Sequence, residues 1–184
     1  MNIELESMAI EMPAVEKHPN REAFRGVLTL VDVTSDRPPS GARGHRVVLT
    51  RAAAEKALAS LLGMALDYSP SLDRHDVRRK VGVITRADIV GKTLELGGHL
   101  FAKDFPEIVL EIGKSRRGAL DLAGAQPRPH TGPAQLGMSY EITDARIADL
   151  RAQVWTLTHV TFTGAAILRR DKAAYRETWI ELAQ

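Results

Sequence analysis

Chemistry in this chain must proceed without sulfur nucleophiles. The 184 residues include no cysteine, which removes thiol nucleophiles, cysteine-built zinc sites and thiol redox steps together. Serine with histidine is the pairing left for nucleophilic catalysis. A serine hydroxyl is a weak nucleophile near neutrality and needs a base within hydrogen-bond reach, itself held by a third group. Of eight serines, Ser7, Ser35 and Ser40 fall in an N-terminal arm or a loop, Ser69 and Ser71 flank a turn, and Ser60 and Ser115 lie in helical text. Only Ser139 sits inside strand text, LGMSYEITDARI, directly after a stretch rich in glycine and proline. Among six histidines, His159 lies mid-strand in LTHVTF and His75 just precedes a strand. The connection over residues 148–151 is short enough for the strands carrying Ser139 and His159 to pair, setting the two side by side. A strand serine is ordinarily a small filler and a lone strand histidine ordinarily structural, so these residues alone do not single out catalysis.

Other chemistries lack their signatures. Histidines 18, 45, 75, 99, 130 and 159 form no HxH or HExxH pair, so no metal is expected. Neither GxxxxGK nor GxGxxG occurs, and no cofactor is expected.

The elements that must hold these residues read as follows. Residues 1–23 form a loose polar arm, followed by one domain over 24–184. Strand text runs over 24–34, 46–50, 81–89, 92–101, 136–147 and 152–168, with a hairpin turn at 88–91. Thr50 can N-cap a helix over 51–66. A second helix spans 105–117, with Pro106 in its first turn and basic residues in its last. The tail from Arg169 has helical composition, with Tyr175 and Trp179 one turn apart. Residues 118–135, with three glycines and three prolines, read as a long mobile loop suited to gating or self-cleavage. This is an α+β pattern: a mainly antiparallel sheet or barrel core with about three helices.

Composition narrows the partners. Hydrophobic residues at 44% and charged ones at 26% are globular values. No apolar run reaches the roughly 20 residues of a membrane span, and the N-terminus lacks the basic-then-apolar pattern of a secretory signal. Aromatic residues at 5% and a net charge of +2 speak against a nucleic-acid partner. The basic runs at 74–80 and 114–117 read as solvated faces or as contacts for an acidic scaffold.

Three strings together resemble the tailed-phage prohead (capsid-maturation) serine proteases, and through them the herpesvirus assemblins. DRHDVRRKVGVIT is similar to the motif with a histidine before a V/I-G-x-V strand. LGMSYEITDARI is similar to the G-L-S nucleophile strand, and LTHVTFTGAAI to the third motif. The likeness covers about residues 24–168 in motif order. It implies a herpesvirus-protease-like fold, Ser139 as nucleophile, His75 as general base and His159 as the third triad member. Many phage relatives carry a carboxylate in that third role, for which Glu141 or Asp144 are alternatives. Arg169 and Arg170 are offset from the family's oxyanion arginines. The implied activity is acyl-enzyme cleavage of capsid precursor and scaffold proteins, and of the chain itself, inside a procapsid assembling in the host cytoplasm. A His third member contributes a dipole where a carboxylate contributes a charge, which implies a slow enzyme. Assemblins are dimers, so a homodimer is admitted. The competing reading is an inactive scaffolding or binding module of the same fold. A small-ester hydrolase ranks last, because G-x-S-x-G is absent.

Overall fold

The computed structural model describes residues 2–4, 18–121 and 136–183, with the side chains of 2–4 and 115–121 left undescribed. Nine strands, two α-helices and one 3-10 turn appear among them. In chain order these are β1 (Asn2–Glu4), β2 (Glu22–Leu30), β3 (Arg46–Leu49), α1 (Arg51–Ala57), the 3-10 turn (Leu58–Leu61) and β4 (Ala65–Tyr68). There follow β5 (Lys80–Val90), β6 (Thr93–Leu100), α2 (Pro106–Asp121), β7 (Leu136–Ile147), β8 (Val154–Arg169) and β9 (Trp179–Leu182).

All nine strands join one sheet, whose path runs β3-β8-β4-β5-β6-β2-β9, with β1 added to β5 and β7 to β8. Six of the eight strand pairings among the described residues are antiparallel, as the sequence suggested, and two are parallel, so the sheet is mixed. β8 is the reason. At 16 residues it is long enough to take β3 alongside Val154–Leu157 and β4 alongside Ala165–Ile167, both parallel. β7 pairs antiparallel along nearly its whole length. The sheet curls until β7 meets the turn before β9, where the Met138 N–H donates to Thr178 Oγ1 at 3.2 Å. One apolar cluster fills the curl, with Phe24, Leu28, Leu49, Leu58, Leu66 and Phe162 among its most buried members.

Among the described residues there are two α-helices, not about three, and the first is shorter than expected. The text over 51–66 begins as expected, with Thr50 Oγ1 accepting from the Ala53 N–H at 3.2 Å and donating to Leu157 O at 3.2 Å. After Ala57 the chain tightens into the 3-10 turn, and Gly63 takes φ +78, a conformation that ends a helix at little cost. The following residues become β4. The C-terminal tail is not helical either. Tyr175 is buried with its hydroxyl near Val33 O (3.1 Å) and Val47 O (3.3 Å), and Trp179–Leu182 pairs with the open edge of β2. A strand edge with unpaired donors and acceptors outweighs the tail's modest helical preference.

α2 runs on through residues 118–121, so the first part of the expected 118–135 loop is helix and no basic residue occupies the last turn. Residues 122–135, and residues 5–17 of the expected arm, lie outside the described residues. No helix among the described residues is long and apolar enough to cross a membrane.

Candidate active site

The site lies where β4, β8 and β7 run side by side. Asp67 of β4 is in register with Ala166 of β8, and Ala166 with Ser139 of β7. Register partners in adjacent strands point to one face, so Asp67, Ala166 and Ser139 form a row. Glu141, two residues along β7, shares that face. The intervening Tyr140 turns to the core, edge-on to Phe162 at 5.8 Å, and burial pushes its hydroxyl far above the ordinary tyrosine range.

Two departures from regular β geometry open room on this face. Gly164 is paired with Glu141, and a Cβ there would stand 2.9 Å from Glu141 Oε2. The missing side chain is what lets the carboxylate lie across β8. Immediately beyond, Glu141/Ile142 on β7 faces Gly164/Phe162 on β8. Two residues advance against one, a β-bulge that leaves Thr163 unpaired beside the cavity.

His75 arrives from above, on the loop between β4 and β5. The loop is pinned at several points. The Arg169 N–H donates to Leu72 O (2.7 Å), and the Leu72 N–H to Ser69 O (2.9 Å). Asp73 Oδ1 accepts from the hydroxyls of Ser71 (2.5 Å) and Ser69 (3.2 Å); the Ser71 bond, first, holds that carboxyl below its ordinary value. The Asp76 N–H donates to Asp67 Oδ1 at 3.0 Å, tying the loop to the strand beneath.

These ties leave His75 Nδ1 3.1 Å from Glu141 Oε1 and 3.9 Å from Asp67 Oδ2. Neither contact has hydrogen-bond alignment, and both Nδ1 and Asp67 Oδ2 are buried atoms without a hydrogen bond. Lys80 Nζ is 3.6 Å from the same Asp67 oxygen. Asp67 is fully buried, and desolvation raises its carboxyl above the ordinary value against the Asp76 bond and the nearby His75. Asp67, His75 and Glu141 thus offer three ligand-type atoms within 4.8 Å of one another.

Ser139 and His75 line one cavity of about 650 Å³. Asp73, Arg74 and Glu141 make its polar end, and Trp155, Leu157 and the 38–42 loop part of its apolar wall. His45 stacks on Trp155 with ring centroids 4.3 Å apart.

The remaining expected participants lie elsewhere. β7 and β8 do pair, but the register puts Arg146, not Ser139, opposite His159. His159 is exposed and seven residues from Ala166, roughly 20 Å along the strand at ~3.3 Å per residue. Asp144 is also exposed, with φ +53, at the second irregularity of β7. Arg169 is exposed and pairs with Asp171 at 3.3 Å. Arg170 is half-buried, its Nε without a hydrogen bond and its guanidinium lowered from its ordinary value by burial. Asp67 escaped the sequence reading because ALDY follows alanine- and leucine-rich helical text. The one available signal was Gly63, a helix stop four residues earlier.

No family model matches the chain, and no curated protein matches it. Among solved structures, one similar chain is described as the crystal structure of KSHV protease in complex with a hexapeptide phosphonate inhibitor. The likeness has 11% sequence identity and a TM-score of 0.47, and covers 89% of this chain and 65% of that one.

Proposed function

We propose that this chain is a serine peptidase, with Ser139 as nucleophile and His75 as general base. Glu141, backed by Asp67, is the group that orients the base. The observation that carries the reading is the His75 ring, with Nδ1 3.1 Å from Glu141 Oε1, in a cavity that Ser139 also lines. A carboxylate at Nδ1 favours the tautomer with the proton on Nδ1 and the lone pair on Nε2. Nε2 then takes the Ser139 proton as Oγ attacks a peptide carbonyl. The imidazolium formed is stabilised by Glu141, and it later protonates the leaving amine. Water, activated by the same ring, releases the acyl-enzyme.

This replaces His159 as third member with a carboxylate, the alternative that many phage relatives of the resembled family use. A full charge supports the imidazolium better than a dipole, so the reason for expecting a slow enzyme falls away. The three strings at 73–85, 136–147 and 157–167 support the narrower reading: a peptidase of a phage-like capsid assembly, cutting capsid precursor and scaffold proteins within an assembling procapsid. Co-expression with any capsid-like and scaffold-like proteins that neighbouring genes encode tests this. Wild type should shorten one of them, and Ser139→Ala should leave both intact. Cleavage by both forms, or by neither, would overturn the proposal.

A further inference from the structure

Around His75 Nδ1 lies a set of atoms with the donor types and spacing of a metal site. His75 Nδ1 and Asp67 Oδ2 are buried, lack hydrogen bonds and stand 3.9 Å apart. Glu141 Oε1 closes the triangle at 3.1 Å from Nδ1. In a tetrahedral zinc site with bonds of about 2.0–2.1 Å, ligand atoms stand roughly 3.3 Å apart. The cluster, spanning 4.8 Å at most, therefore needs a contraction of at most about 1.5 Å to reach that spacing, within reach of the Glu141 and His75 side chains. Imidazole with two carboxylates is a donor set for Zn²⁺ and its transition-metal neighbours. The three ligands come from β4, β7 and the loop after β4, which is why no local histidine motif announces them.

We infer that Asp67, His75 and Glu141 form a Zn²⁺ site that switches the general base off. This rests on the peptidase reading for its consequence, but not for the binding itself. The chemistry is a competition for one nitrogen. In the active tautomer Nδ1 carries the proton and Nε2 the lone pair that receives the Ser139 proton. Coordination uses the Nδ1 lone pair, so that proton leaves to solvent and Nε2 takes one up. No net proton is released, and Nε2 becomes a donor that cannot act as base. Lys80 Nζ, 3.6 Å from Asp67 Oδ2, opposes the cation and sets how tightly it binds.

The experiment is equilibrium dialysis of the full chain against Zn²⁺, with Mg²⁺ in parallel, followed by peptide cleavage with and without a chelator. One Zn²⁺ per chain is expected, with Mg²⁺ failing to displace it at thousandfold excess. Glu141→Gln should weaken binding at least tenfold, and Lys80→Met should tighten it severalfold. Because these two variants move affinity in opposite directions, a general loss of folding cannot produce both. Zn²⁺ should inhibit cleavage over the same concentrations at which it binds, and the chelator should restore it. Unchanged binding in Glu141→Gln would place the ion on surface histidines and overturn the site. Binding as expected by a chain without peptidase activity would overturn the peptidase reading and the switch while leaving the metal site. Cleavage without Zn²⁺ binding would overturn the metal site and the switch while leaving the peptidase reading.

Discussion

At Gly164 the lack of a side chain lets Glu141 cross β8 and reach His75. An alanine there would put a methyl group 2.9 Å from Glu141 Oε2 and 3.2 Å from the Ala65 carbonyl oxygen. The carboxylate is flexible and the backbone oxygen is not, so Glu141 is the group that moves. Gly164→Ala should lower kcat roughly 10²-fold, the scale expected when a positioned group shifts by about 1 Å, with KM little changed. Equal losses in Gly164→Ala and in Gly164→Ala combined with Glu141→Gln would show that both act through one interaction. His99 supplies a separate test away from the site. Burial first, then the nearby Arg21 and His18, hold its ring below the ordinary imidazole value. The unfolded chain therefore binds the proton more readily. The contribution is complete above the unfolded value near 6.5 and is lost as pH falls below it. His99→Gln should flatten the drop in urea midpoint between pH 7.5 and 5.5; an unchanged slope would contradict the assignment.

At the scale of elements, the β4–β5 loop owes its place to strand β4 and to the end of β8. The sequence suggested neither link, because both are tertiary. β7 was legible to the residue, since LGMSYEITDARI alternates and a glycine- and proline-rich stretch stops short of it. β4 was not legible, because four residues rich in alanine and leucine carry no period of their own. The tail shows the same limit, as its helical composition yields to the open edge of β2. Ser139 and His75 could be singled out by strand context and motif order. Glu141 could be named only as an alternative, and Asp67 not at all, because which residues face His75 depends on the parallel β4–β8 register. Thr50 tests how α1 is tied to β8. Thr50→Ala removes both the cap on Ala53 and the bond to Leu157 O, and should cost about 1 kcal/mol, read as a lowered unfolding midpoint with activity retained.

For the whole molecule, the decisive feature is that one long strand organises the sheet. β8 carries β3 and β4 on one side and β7 on the other, so the strand of Ser139 and the strand beneath His75 are fixed to a common backbone. The lack of cysteine confines the chemistry to oxygen and nitrogen groups, and the fold brings one histidine and one carboxylate from residues 67–75 to the strand that carries Ser139 and Glu141. In the proposed chemistry Ser139 is an activated nucleophile and His75 is the base that activates it. Exposing the full chain to a fluorophosphonate and mapping any adduct by intact and peptide mass reads this out. A single adduct on Ser139 is expected, absent from Ser139→Ala and formed far more slowly in His75→Gln. No adduct on the folded wild-type chain, or one that persists in Ser139→Ala, would contradict it.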